Sequence, residues 1–513
     1  MKPLFLFFSF LFSLQLHAQD CPPSNVYLHD QKDVDDFLTD YPNCRIIKGD
    51  LTIRNLGTNQ EINDLSGLKN IEIIEGDLDL RNITIPTSLD LSSLLQVIGG
   101  VYFHSIENID LQTLSLLNLI GSNFYISSSE FDNGLEFPSL ETINGSILLS
   151  VIEMTTFSAF QNLQSIGGSI TIEHISGTNQ LSGFDNLLHV NNLTFSDNFD
   201  TEIIDAFSNI KSVKDLKIDY QGKLKYISSF DQLTDLEDLK ITSNLKLVEI
   251  SGFDSIVTLQ NLIIENSPLL EAINGFSQLD TIHDDIDLLD TSVEEINGFN
   301  NLTFIGNLNF NNNSKLKSID FFESLAVIRD HLLIYSNNSL IEIVNMPLHS
   351  VGGSIRVFSH EKLQDISGLD SFNANLLGTS PSFSSYQLAL SSNNSLAICN
   401  YESVCRALEL PLSILIQDNA VGCNSPEEID CSIISANENI SFINPIVYPN
   451  PTQGQVYTIS TKRINLIEVF DMSGRKIISF NNFPINMSQL ESGLYYLKMS
   501  NENSISYSNV VKN

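Results

Sequence analysis

The stretch "GGSITIEHISGTNQLSGFDNLLHV" (Gly167–Val190) returns two coils later as "VKDLKIDYQGKLKYISSFDQLTDL" (Val213–Leu236). Phenylalanine gives the ruler. Phe184, Phe207, Phe230, Phe253, Phe276, Phe299 and Phe322 stand 23 residues apart, each preceded at three residues by Leu or Ile (Leu181, Ile204, Ile227, Ile250, Ile273, Ile296, Ile319). A second ruler is a short apolar-x-apolar pair. It begins at Leu51, Leu78, Val101, Phe124, Ile147, Ile170, Leu193, Leu216, Leu239, Leu262, Ile286, Leu308, Leu332 and Ile355, which marks fourteen coils. In such a pair both apolar side chains point inward and the residue between them points out. A strand this short is unstable alone, but it can stack on its equivalent in the next coil as a parallel sheet. The rest of each coil carries apolar residues every three positions, which suits extended segments, turns and single 3₁₀ turns. The predicted fold is mainly β: a capped, right-handed parallel β solenoid of 23-residue coils, followed by a small antiparallel β-sandwich. The phenylalanines and aliphatics form its core. Gly252, Asn274–Gly275 and Asn297–Gly298 are read as corner turn residues that tolerate left-handed backbone.

Six cysteines avoid the repeats: Cys21, Cys44, Cys399, Cys405, Cys423 and Cys431. They flank the region whose raw ends need closing. An even count in an exported chain reads as disulfides, with Cys21–Cys44 as one pair; the other four allow three connectivities. The expected organisation has six parts. They are a signal peptide (1–18), an N-terminal cap with a short helix (19–45), the solenoid (46–375), a cysteine-bearing C-terminal cap (376–431), a linker (432–444) and a separate C-terminal domain (445–513). The signal is read from Lys2, the apolar run "LFLFFSFLFSL" and Ala18 at a small-residue cleavage site. In the N-terminal cap, Asp30 is the expected N-cap of a helix carrying Val34, Phe37 and Leu38.

The formal charge is −36, from 26 basic and 62 acidic residues. Nucleic acid is therefore excluded as a partner, because binding it needs clustered Lys and Arg. No H-E-x-x-H, G-x-S-x-G or phosphate-binding glycine loop occurs. The chain is read as a non-enzyme with no cofactor and no metal. The densest acidic cluster, "HDDIDLLD" (His283–Asp290), lacks calcium-loop spacing and reads as a solvated face. The outward strand positions include Tyr102, Tyr125 and Leu148 on three successive coils. They form the candidate binding face, an apolar ladder suited to a protein partner or a sugar ring. Ordinary strand propensity of tyrosine is the competing explanation.

Two resemblances add to this reading. Units such as "GDLTI", "GSITI" and "L-S-G-F-D-N-L" over Ile46–Phe372 resemble the receptor L-domain family, a leucine-rich-repeat-like parallel solenoid of receptor ectodomains. The tail is similar to the C-terminal sorting domain of the bacterial type IX secretion system. The similarity rests on "YPNPTQG" (Tyr448–Gly454), "IEVFDMSGRKI" (Ile467–Ile477), "LESGLYYLKM" (Leu490–Met499) and the final "NVVKN". It singles out Tyr448, Pro449, Asn450, Pro451, Gly454, Asp471, Gly474, Gly493, Tyr495 and Lys512. It implies the secretion machinery and a surface sortase as partners, attachment to surface lipopolysaccharide, and a secreted or outer-surface location on a Gram-negative bacterium. The expected role is non-enzymatic binding or adhesion toward an extracellular protein or glycan. The alternatives are a structural spacer or coat component without specific ligand and, third, a polysaccharide-active solenoid enzyme.

Overall fold

A computed structural model describes residues 21–56, 61–84, 90–107, 111–131, 134–378, 385–432, 446–459, 464–471, 475–500 and 505–513. The signal peptide, the linker but for Ser432, and Gly474 lie outside the described residues. The chain divides into two compact units after Ser169.

Each of the fourteen expected apolar pairs is a strand of a parallel ladder. In the first unit the strands are Leu51–Arg54, Leu78–Thr84, Val101–Glu107, Phe124–Phe131 and Ile147–Met154. In the second they run from Ile170–Ser176 to Ile355–Phe358. The sheet also takes in strands outside the predicted pairs, three of them from the segments that flank the repeats. Val26–Leu28 pairs with Leu51–Ile53 at one end. Leu388–Ser391 pairs with Ile355–Phe358 and then with Ile414–Gln417 at the other. The cysteine-bearing segments thus supply solenoid strands as well as closure. Disulfides join Cys21 to Cys44, Cys399 to Cys423 and Cys405 to Cys431. The helix Gln31–Asp40 begins at Asp30, whose carboxylate accepts the Asp33 N–H at 3.0 Å, and it buries Val34 and Phe37.

The phenylalanines stack along the solenoid interior. In the second unit Phe184–Phe207, Phe230–Phe253 and Phe253–Phe276 lie 4.7, 5.4 and 5.3 Å apart with near-parallel rings, and Phe276–Phe299 at 5.7 Å is more tilted. The corners differ from expectation. Gly252 and Gly298 have positive φ, whereas Asn274, Gly275 and Asn297 do not; the phenylalanines themselves turn the chain, with φ of 63° at Phe253 and 66° at Phe276. A non-glycine residue in this region is strained, and burial of the stacked ring holds it there. Gly275 and Gly298 serve instead for close approach. A Cβ on Gly275 would sit 2.1 Å from the Gly252 carbonyl oxygen, and one on Gly298 1.6 Å from that of Gly275.

A buried amide ladder runs beside the sheet and takes up the backbone groups that the tight turns leave unpaired. Asn337 Nδ2 donates to the Phe310 carbonyl at 3.0 Å and its Oδ1 accepts the Asn313 N–H at 2.8 Å. Asn198, Asn244, Asn393 and Asn419 repeat the pattern. One rung is histidine. His360, fully buried, accepts the Asn337 N–H at Nδ1 (3.1 Å) and reaches the Ile334 carbonyl from Nε2 (3.2 Å). That pair of bonds requires the neutral ring protonated at Nε2. Burial pushes the His360 pKa down, and does the same to His283 and His331. These groups take up protons more readily unfolded than folded, so their stabilisation is complete above the unfolded value near 6.5 and is lost as pH falls below it. The melting temperature should therefore drop between pH 7 and pH 5. His360→Asn, which restores the rung used at Asn337 and Asn393, should flatten that slope while keeping the pH 7 melting temperature. An unchanged slope would sink the assignment.

The described residues of 446–513 form two antiparallel sheets around a core of their own: Val447, Val456, Ile467, Val469, Ile485, Met487, Tyr495, Leu497, Met499 and Val510. One sheet joins Ile446–Tyr448, Gln455–Ile459 and Ile485–Asn486; the other joins Leu466–Phe470, Lys476–Phe480, Gly493–Ser500 and Ile505–Lys512.

Candidate functional site

Alternation along the strands decides which side chains reach solvent. In Val101–Glu107 and Phe124–Phe131 the first and third residues are buried (Val101, Phe103; Phe124, Ile126), which leaves Tyr102 and Tyr125 on the outer face. Register sets Tyr102 beside Tyr125 and Tyr125 beside Leu148. The two rings meet edge to face, 5.6 Å between centroids at 80°, a favourable aromatic geometry. All three side chains are half-buried, so each keeps apolar surface in water.

Gly100 contributes something the alternation does not show. A Cβ at this position would lie 2.5 Å from the Tyr102 hydroxyl oxygen and 2.6 Å from its ring carbons. The Tyr102 ring therefore lies back over Gly100. Burial, followed by the nearby Asp77 carboxylate, raises the Tyr102 pKa, so the phenol stays a neutral donor.

The acidic positions read from the sequence are held by the neighbouring coil. Asp285 accepts from Asn307 Nδ2 at 2.9 Å and Asp287 from Asn309 Nδ2 at 3.1 Å. Burial raises the Asp287 pKa. No cluster of three metal-ligating side chains is present among the described residues. Lys217, in register with Lys240, pairs with Asp219 at 2.8 Å.

In the C-terminal domain the "YPNPTQG" stretch is a clasp on the final strand. Asn450 donates from Nδ2 to the Asn509 carbonyl at 2.9 Å and accepts the Val511 N–H at 2.7 Å. Thr452 N–H continues to the Val511 carbonyl, and the Gly454 carbonyl accepts Met487 N–H. Asp471 closes the hairpin by accepting both the backbone N–H and Nε of Arg475. Tyr495, almost fully buried, donates to the Glu491 carbonyl at 2.7 Å. Lys512 is buried and donates to the Asn513 carbonyl. Nothing lies within 4 Å of a Cβ built on Gly493, so no steric demand explains that glycine. Tyr448 faces away from the clasp. Its ring packs on Phe304 of the solenoid at 5.2 Å and on Tyr457 at 5.7 Å, and burial raises its pKa strongly. Beside this contact, Arg329 bridges Asp284 (3.2 Å) and Asp330 (2.8 Å) in a cleft of about 250 Å³ that Pro449, Thr452 and Gly454 also line.

Comparison with known proteins separates the same two parts. Residues 446–513 match the family model of the secretion system C-terminal sorting domain, and residues 43–121 match that of the receptor L domain. The receptor L-domain match includes Gly100 and Tyr102. No curated protein matches the chain. Among solved structures, a TLR13–ssRNA13 complex aligns at 13% identity over 72% of this chain and 85% of that one, with a TM-score of 0.13; at that score the likeness carries no argument. No helix among the described residues is long and apolar enough to cross a membrane, which says nothing of β-barrels.

Proposed function

We propose that this exported chain, with a receptor L-domain segment and a C-terminal sorting domain, is a secreted or surface-displayed binding protein that works without catalysis. It meets a protein or glycan through the outer face of its parallel sheet. The observation that carries the reading is the edge-to-face pair Tyr102–Tyr125, continued in register by Leu148. Aromatic rings fixed on a rigid sheet lose little entropy on binding and present large contact area. The sorting domain supports export by the type IX system. Removal of that domain by a surface sortase and attachment to lipopolysaccharide belong to the same proposal.

Capture on an array of glycans and surface proteins is expected to be saturable. Replacing Tyr102 and Tyr125 together by alanine should lower it at least tenfold with the melting temperature within a few degrees of wild type. Gly100→Ala should weaken capture with both tyrosines kept in the sequence, because its Cβ displaces the Tyr102 ring. Capture that is unsaturable, or indifferent to all three substitutions, favours the spacer reading. Progressive breakdown of an arrayed polysaccharide would overturn the non-catalytic one.

A further inference from the structure

The acidic balance of the chain makes any run of basic side chains informative, and one runs along the outer face up to the Tyr102 coil. Two residues after Thr52, Asp79 and Tyr102 stand Arg54, Arg81 and His104, on the same outer face and paired in register, Arg54 with Arg81 and Arg81 with His104. Three successive coils thus present Arg or His at one face position, in a chain with 26 basic against 62 acidic residues. Arg54, Arg81 and His104 are exposed.

The column is partly engaged. Asp79 binds Arg81 at Nε and Nη2, which fixes the guanidinium, and His104 Nδ1 meets Ser127 Oγ at 2.8 Å. The Arg54 side chain makes no hydrogen bond or ion pair among the described residues. Asp50 and Asp77, on the side toward the strand starts, are oriented by accepting the backbone N–H groups of Asp77 and Gly100. The exposed column Glu107–Glu130–Glu153 lies three residues further along the strands, roughly 10 Å away.

We propose that this face binds a linear acidic polysaccharide, a polyuronate, with its axis across the strands; the inference rests on the binding role proposed above and names its ligand class. Coils repeat at about 4.8 Å in the direction in which the sheet grows, close to the repeat of a linear chain of pyranose rings. Each coil then offers one basic or hydrogen-bonding group to a sugar carboxylate, and Tyr27, Tyr102 and Tyr125 offer ring faces and edges to the pyranose C–H surface. Guanidinium forks match carboxylates in shape as well as charge. A flexible acidic peptide matches the charge but neither the rigid repeat nor the aromatic platform.

The test is calorimetric titration of the full chain with a short oligogalacturonate and, separately, with a neutral galactose oligomer of equal length and an oligoglutamate peptide. The oligogalacturonate is expected to bind at least tenfold more tightly than either, with an affinity that falls as salt rises. Arg54→Glu should remove at least tenfold of that affinity while the melting temperature holds. Lys240→Glu, remote on the second unit, should leave it unchanged. Equal binding of the neutral oligomer, equal binding of the peptide, or indifference to Arg54→Glu each overturns the inference. If no acidic saccharide binds while the Tyr102 and Tyr125 variants still lose capture of another partner, this inference fails and the binding role stands.

Discussion

Replacing Phe276 by alanine is expected to cost about 3–5 kcal/mol, the range for truncating a fully buried aromatic residue. Phe276 is wholly inaccessible to solvent and lies between Phe253 at 5.3 Å and Phe299 at 5.7 Å. Its removal leaves a hole in the middle of the stack, and the flanking rings are pinned by their own coils. The positive φ at this position is uncomfortable for alanine as it is for phenylalanine, so backbone strain offers no compensation. Because each coil contacts chiefly its neighbours, the loss is felt locally. Hydrogen exchange should accelerate in the Asn261–Ser267 and Thr281–Thr291 strands before it does in Leu51–Arg54. Urea unfolding followed by circular dichroism measures the total. Val257→Ala, at a side chain 50% exposed, is the comparison and should stay within about 0.5 kcal/mol of wild type. A Phe276→Ala cost under 1 kcal/mol would mean that the neighbouring rings close the gap and that the column is not the spine of the second unit.

The repeat was open to reading because its two strongest signals, the apolar pairs and the phenylalanines, sit on one 23-residue ruler. Even the slips have a physical counterpart: the step from Leu262 to Ile286 is one residue longer, and the sheet register shifts between Ile282 and Asp285. The buried asparagines carry no such signal. Asn198, Asn244, Asn337 and Asn393 are fully buried and hold the amide ladder, a role that the ordinary turn preference of asparagine hides. The left-handed phenylalanines were beyond reach, because local propensity gives such corners to Gly or Asn and only the stacked core overrides it. At the candidate site, strand alternation gave Tyr102, Tyr125 and Leu148. The space that Gly100 leaves for Tyr102 depends on how one ring folds back along its own strand. The contact of Tyr448 with Phe304 joins residues 144 positions apart in sequence (448 − 304), a pairing that no local pattern encodes.

Deleting residues 440–513 is expected to abolish surface display almost completely and to leave the solenoid folded and oxidised inside the cell envelope. The domain removed has its own core, and the third disulfide, Cys405–Cys431, closes before it begins. What the solenoid loses is the cover that Tyr448 gives to the Phe304–Val327 cluster, so the truncated chain should melt close to the full chain and bind an apolar dye more strongly. A point substitution tests the signal without removing it. Asn450 supplies two hydrogen bonds to the last strand, to the Asn509 carbonyl and from the Val511 N–H. Asn450→Ala should cost the small domain about 1–3 kcal/mol and free the strand Ile505–Lys512, while the solenoid is untouched. Protease accessibility on intact cells, compared with the periplasmic fraction, reads both variants. The deletion should shift all of the protein to the periplasm, Asn450→Ala a large part of it, and Tyr448→Phe, which keeps the ring on Phe304, little. Normal display of the deletion would show that residues 446–513 do not direct export. Full display of Asn450→Ala alongside failure of the deletion would show that the machinery reads the domain without needing its last strand clasped.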